Sequence, residues 1–309
     1  MTTVTTATFG HPALLYHGDD EYLAGTVPFI SAGLSAGEPV AVAVPGGHIE
    51  LLRSELGASA DHVAMVDMTV VGRNPGRIIP GVLRDFADRH PDQHVRIVGE
   101  PIWPLRTAEE YPACLRHEAL INQSFTGRDV TLLCPYDADG LDPEILADAA
   151  RTHPVLVDQD GSHASHRYAP DDVLTDCNQP LPAPPGAERF VVAAGGLPGL
   201  RRVVCAFSQR EGLGAERADD LVLVLTELAT NSVEHAESPA VVLLGRVGDQ
   251  VVCQVRDTGY ISDPLAGRRP VVPGQERGRG LLLVNHLSDL VRAHSKPGET
   301  VIEVRFALG

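Results

Sequence analysis

The chain is short of positive charge: 25 lysines and arginines stand against 41 aspartates and glutamates, a formal net charge of -16 over 309 residues. A general nucleic-acid binder needs a basic surface to displace counterions from phosphate, and an anionic membrane makes the same demand, so both partner classes are disfavoured. A basic protein partner stays open. The N-terminus, MTTVTTATFGHPALLYH, lacks a basic segment followed by an apolar core, and no apolar run nears the about 18 residues that cross a bilayer. The expected location is cytoplasmic. Paired cysteines are missing too. Cys114, Cys134, Cys177, Cys205 and Cys253 are odd in number, scattered and never in a CxxC pair, which suits reduced thiols and counts against a disulfide framework or a zinc site. Cys134 and Cys253 lie in apolar strand-like runs and read as small core residues. Neither GxxxxGK[ST] nor GxGxxG occurs in the first half; the nearest segment, AVAVPGGHIELL, lacks the lysine and the hydroxyl of a phosphate-binding loop. Repeats and low-complexity segments are absent.

What is present divides in two, as expected for a chain longer than the about 100–200 residues of one core. From residue 13 to about 157, short apolar runs (ALLYH, PVAVAV, HVAMVD, VRIVG, VTLLCP, PVLVD) alternate with stretches of helical spacing. Continuous β-branched runs between helices predict a mostly parallel sheet buried on both faces, an α/β domain. Between Asp158 and Pro198 the composition turns polar and then proline-rich, with Pro180, Pro182, Pro184 and Pro185 close together, so the boundary falls there. The remainder reads as FVVAA, two helices, the strands AVVLLGRVG and QVVCQVRD, a glycine- and arginine-rich loop, a helix GLLLVNHLSDLV and a last strand TVIEVRFAL. This predicts an α+β sandwich with helices on one face of a mixed sheet.

Chemistry gathers in the second part. In ELATNSVEH, Glu227, Asn231 and His235 recur at i, i+4, i+8 along one edge of a helix whose stripe Leu221, Val224, Leu225 and Leu228 faces the sheet. A polar row of this kind is usually a solvated face. The segments that follow raise its standing. Arg256-Asp257-Thr258-Gly259 sets a carboxylate at a strand end beside a glycine, suited to an exocyclic amine and a close ligand. Gly278-Arg279-Gly280 precedes a helix, where free N–H groups and the helix dipole favour phosphate.

The three motifs in this order resemble the GHKL (Bergerat-fold) ATPase superfamily, and ELATNSVEHA is similar to the short N-box of anti-sigma factors that are serine-protein kinases, over about residues 190–309. The resemblance implies ATP and Mg²⁺ as cofactors, Asn231 as metal ligand, Glu227 as base, Asp257 and Gly259 at the adenine, and Thr300 near it. It implies Gly278, Arg279 and Gly280 at the phosphates, with Arg277 as a further cation. Ile261 replaces a second glycine found in many relatives. The implied activity is that of an ATP-dependent protein serine/threonine kinase controlling a sigma factor, with a STAS-type antagonist as substrate. The other readings are a ligand-controlled binding module with a structural or degenerate ATP site and, less well, an atypical sensor histidine kinase, whose phosphoacceptor hairpin the short proline-rich linker does not supply.

In the first part, HPALLYHGDDEYL, RIVGEPIWP, HEALINQSF and LLCPYDA resemble the MEDS (methanogen/methylotroph, DcmR sensory) domain, a RecA-like module without the nucleotide loop that is thought to sense small molecules. Glu100, Trp103, Glu118, Asn122 and Tyr136 are the candidate ligand positions, Glu118 and Asn122 sharing a helix face at i, i+4. Packing accounts equally for Trp103, and Asp19 and Asp20 read as helix-capping carboxylates. His163 and His166, with Asp158 and Asp160 upstream, are metal-binding residue types in a polar linker that offers no further ligand pair. The expected organisation is a MEDS-like domain over 10–175, a linker over 176–188 and an ATPase domain over 189–309. That is an N-terminal RecA-like parallel-sheet sandwich plus a C-terminal α+β Bergerat-type sandwich. A small-molecule ligand in the first domain and a homodimer are both admitted.

Overall fold

The computed structural model describes residues 8–271 and 278–308. The chain divides into two compact units, residues 1–73 with 78–177 and residues 74–77 with 178–309.

In the first unit the six apolar runs are all strands: β2 (Pro12–Tyr16), β3 (Val40–Val44), β4 (Ala64–Asp67), β5 (Val95–Gly99), β6 (Val130–Asp137) and β7 (Val155–Asp158). A short β1 (Phe9–Gly10) precedes β2 along the same edge of β6. The order is β4-β3-β5-β6-β2-β7-β8, every pair parallel except the last. Between the strands run α1 (Gly18–Ala36), α2 (Gly46–Leu56), the short α3 (Met68–Val71), α4 (Pro75–Ile78), whose residues 75–77 count with the second unit, and α5 (Arg84–Asp88), then α6 (Tyr111–Ser124) and α7 (Pro143–Thr152). This is the parallel-sheet sandwich the alternation predicts: β3 is buried at every position, as a strand covered on both faces must be. α1 begins one residue after β2, through His17 alone, too short a connection to wrap a phosphate. Its capping differs from the expectation. Asp19 and Asp20 only lend charge to the first turn, and the Glu21 carboxylate accepts the His17 N–H at 2.8 Å.

The polar stretch after Asp158 is more ordered than its composition predicts. Residues Gly161–Ala164 form β8, an exposed antiparallel edge strand on β7, and α8 (Pro170–Asp176) follows with proline in its first turn, where a missing N–H costs nothing.

The second unit contains β9 (Glu188–Val192), α9 (Leu197–Glu211), α10 (Ala215–His235), β10 (Ala240–Val247), β11 (Gln250–Asp257), α11 (Gly280–Leu287), β12 (Leu290–Lys296) and β13 (Glu299–Ala307). Two expectations are corrected. The sheet, ordered β12-β13-β11-β10-β9, is antiparallel at every pairing rather than mixed. The helix expected to run through SDLV stops at Leu287, because Ser288 turns extended, Asp289 donates its backbone N–H to Arg305 O and its carboxylate accepts the Ala307 N–H, which starts β12 against β13. The apolar stripe of α10 is buried as expected. Leu221, Val224, Leu225 and Leu228 pack in one cluster with Val242, Leu244, Val251, Cys253, Val304 and Phe306 of the sheet, each such side chain contributing about 1.5–3 kcal/mol. That packing fixes which edge of α10 carries its polar row. Among the described residues, no helix is long and apolar enough to cross a membrane.

Candidate nucleotide site

Glu227 and Asn231, one turn apart, are half-buried at the edge of α10, while His235 at the helix end is exposed. α11 starts beside them. A Cβ placed on Gly280 would lie 3.0 Å from Glu227 Oε2 and 3.5 Å from Asn231 Nδ2, so the absence of a side chain at that helix N-terminus leaves both groups open. The N-cap residue Arg279 makes no side-chain cap to the first turn of α11, whose N–H groups suit an anion. Gly278 reaches this turn with φ +82°, a left-handed conformation suited to glycine, and Arg279 is exposed at the N-cap. Arg277, the further cation expected from sequence, lies outside the described residues.

The other side of the site is built on Asp257 at the end of β11. Its Oδ2 accepts the Ser232 hydroxyl at 2.6 Å and its Oδ1 accepts the Gly259 N–H at 2.7 Å. A carboxylate has about four acceptor positions, so an exocyclic amine can still be received. A Cβ on Gly259 would come within 2.8 Å of Ala236 Cβ, which requires glycine for the close pass to α10. Thr300, paired in register with Asp257, donates to Gly259 O at 3.0 Å, and Ser295 Oγ lies 2.8 Å from the Thr300 hydroxyl and accepts the Ile261 N–H. Ile261 itself packs against the core of the domain. Sequence reasoning missed Ser232 and Ser295. Ser232 follows Asn231 directly, and its burial was readable from the helical period of the Leu225–Leu228–Ser232 stripe.

Residues 10–154 match the model of the MEDS domain (MEthanogen/methylotroph, DcmR Sensory domain), and residues 192–306 match that of the histidine kinase-like ATPase domain. The chain joins a MEDS domain to a histidine kinase-like ATPase domain. The ATPase domain is also similar to the serine-protein kinase RsbW of Bacillus cereus strains AH187 and ATCC 10987 and of Bacillus thuringiensis subsp. konkukian strain 97-27. Identity is 26% over 120 residues, covering 35% of this chain and 75% of each relative.

The ATPase family implies ATP, usually with Mg²⁺, and the residues present fit both. Asn231 supplies a hard oxygen donor beside the N-terminus of α11, an arrangement suited to a magnesium ion shared with phosphate.

In the MEDS domain the expected ligand positions separate into different surroundings. Glu100, buried after β5, accepts the Tyr16 hydroxyl and lies 2.7 Å from His48 Nδ1, and Tyr22 stacks on His48. Burial raises the Glu100 carboxyl; burial opposes the charge of His48, but the contact with Glu100 outweighs it and raises the imidazole above its ordinary value. Trp103 lies under the Arg106 guanidinium, 3.8 Å from its ring centre. Glu118, Asn122 and Tyr136 meet elsewhere, around two histidines that sequence reasoning did not single out. His11 Nε2 and His153 Nε2 lie 3.3 and 3.2 Å from Glu118 Oε2, His11 Nδ1 lies 3.1 Å from Asn122 Oδ1, and Tyr136 meets the His153 ring edge-on. Cys134 is buried as expected, but its Sγ is 3.4 Å from His11 Nε2, so it is not merely a packing residue. The signal was available. His11-Pro12 and His153-Pro154 each enter a strand, and β2 and β7 are adjacent and parallel. His163 and His166 lie apart from this cluster; His163 is 3.9 Å from Asp158 and exposed, and none of the five cysteines is in a disulfide.

Proposed function

We propose that this chain is an anti-sigma regulatory factor that acts as an ATP-dependent protein serine/threonine kinase and controls transcription through a sigma factor, with a small molecule sensed by the MEDS domain. The observation that carries the reading is the meeting of Glu227 and Asn231 with the Gly280 end of α11. Asn231 holds Mg²⁺ through its side-chain oxygen, and Gly278, Arg279 and Gly280 receive the phosphates. Asp257, braced by Ser232 and Gly259, takes the adenine amine; Thr300 supports the same segment. Bound Mg·ATP supplies the phosphoryl group. Glu227 accepts the proton of the attacking serine or threonine hydroxyl, and Arg279 balances negative charge, since positioning and charge neutralisation carry most of the catalysis in such transfers. A STAS-type antagonist is the acceptor, and the sigma factor is the partner released or held as the antagonist changes state. The similarity to serine-protein kinases supports the transfer chemistry.

The test offers γ-labelled ATP and magnesium to the full chain with each STAS-type protein of the source organism in turn. The reading expects label on a serine or threonine of one of them and retention of a sigma factor on the unmodified chain. ATP binding with no acceptor labelled, whichever antagonist is supplied, overturns the kinase assignment in favour of a binding module.

A further inference from the structure

We propose that His11, Glu118, Cys134 and His153 of the MEDS domain bind one divalent transition-metal ion of the zinc class in a closed four-ligand site. Their donor atoms all lie within 4.8 Å of one another, and all four residues are buried. The hydrogen bonds around them fix what each donor offers. Asn122 gives its Nδ2 hydrogens to Thr152 O at 2.9 Å, which turns its Oδ1 toward His11 Nδ1 and makes that nitrogen the protonated one. His153 Nδ1 lies 2.9 Å from Ala149 O, a carbonyl that can only accept, so this ring too carries its hydrogen on Nδ1. Both Nε2 lone pairs then point at the Glu118 carboxylate, acceptor against acceptor, and among the described residues His153 Nε2 and both Glu118 oxygens have no hydrogen-bond partner. Such a centre calls for positive charge within it, which a bound cation supplies. Orienting a metal-bound imidazole through its other ring nitrogen is the usual second layer of a metal site.

The dimensions agree with a metal. At Zn–N and Zn–O bonds of about 2.0–2.2 Å and Zn–S of about 2.3 Å, the edges of a tetrahedron are about 3.3–3.6 Å. Three of the six donor–donor separations are 3.2 Å (His153 to Glu118), 3.3 Å (His11 to Glu118) and 3.4 Å (His11 to Cys134), and the other three lie within 4.8 Å. The charge agrees as well. On binding, the Cys134 thiol releases its proton to solvent and a sulfur–metal bond forms without change of oxidation state. The divalent ion, thiolate, carboxylate and two neutral imidazoles then sum to zero, which a fully enclosed site requires. Nitrogen, oxygen and sulfur together select zinc or a neighbour of it over magnesium or calcium. With four protein ligands and no solvent access, the site is structural or signal-bearing rather than hydrolytic.

The full-length chain, freed of any affinity tag, is stripped with a chelator and titrated with Co²⁺ alone, without nucleotide. The expected result is one Co²⁺ per chain, intense visible bands of tetrahedral cobalt, a near-ultraviolet thiolate-to-cobalt band, and displacement of both by Zn²⁺. The near-ultraviolet band disappears in Cys134→Ser and persists in Cys205→Ser, and His153→Gln weakens uptake at least about tenfold. A folded wild-type chain, checked by circular dichroism, that takes up no Co²⁺ overturns the proposal. So does a thiolate band that survives Cys134→Ser. Should that variant fail to fold, the wild-type titration decides alone.

Discussion

Two helices of this chain carry the same spacing, a glutamate four residues before an asparagine, in opposite surroundings. On α6, Glu118 is fully buried between two imidazoles, and Asn122 is locked by His11 and Thr152. On α10, Glu227 and Asn231 are half-buried and, among the described residues, make no side-chain hydrogen bond. Spacing alone therefore does not distinguish a closed polar centre from an open site. What distinguishes them is the neighbour. α6 faces histidines and a thiol brought together by adjacent parallel strands, whereas α10 faces glycines that leave room for a ligand.

The same substitution on both helices breaks the comparison most sharply. Glu227→Gln is expected to cut phosphoryl transfer by on the order of 10²–10⁴ while ATP affinity and stability stay near wild type, as for loss of a positioned base; single-turnover assays beside ATP titration check it. Glu118→Gln is expected to act on folding instead, costing about 3 kcal/mol, because it removes one member of a buried charged network. Trp103 is the only tryptophan, so urea denaturation followed by its fluorescence reports on the MEDS domain, and a wild-type midpoint would contradict this. A smaller effect sharpens the account of the open site. Ser232→Ala frees Asp257 Oδ2 from its brace and is expected to weaken ATP binding about fivefold, ~1 kcal/mol, with no change in the tetrahedral cobalt bands. The smallest effect concerns pH. His48, raised above its ordinary value beside Glu100 with Asp19 and Asp137 nearby, contributes stability that is complete below about pH 6.5 and lost as pH rises through the raised value. Glu100, raised by burial, acts in the same direction at lower pH. Between about pH 6 and about pH 9 the Trp103-reported stability should fall, and His48→Gln should flatten that slope.

Much of this was legible in the sequence. All six apolar runs of the MEDS domain are strands, because the strands of a covered parallel sheet carry short uninterrupted apolar runs. The three motifs of the ATPase domain converge in space where their order suggested. Less legible was whatever depends on pairing. β12 is hidden because Val284, Leu287 and Val291 keep helical spacing across the break, and only the contacts of Asp289 with β13 end the helix. β8, at the sheet edge, and α8 are short elements that leave no periodic trace. The His11 cluster escaped notice because Cys134 and His11 stand 123 positions apart, and the parallel register of β2 on β6 is what makes them neighbours.

Asn231 and the glycine-led end of α11 are proposed to form a Mg·ATP site. Calorimetric titration of ATP with magnesium into wild type, Asn231→Ala and Glu227→Ala tests it most directly. The account predicts saturable binding by wild type and Glu227→Ala, and a loss of at least about tenfold, ~1.4 kcal/mol, in Asn231→Ala. Equal affinity in wild type and Asn231→Ala would contradict it.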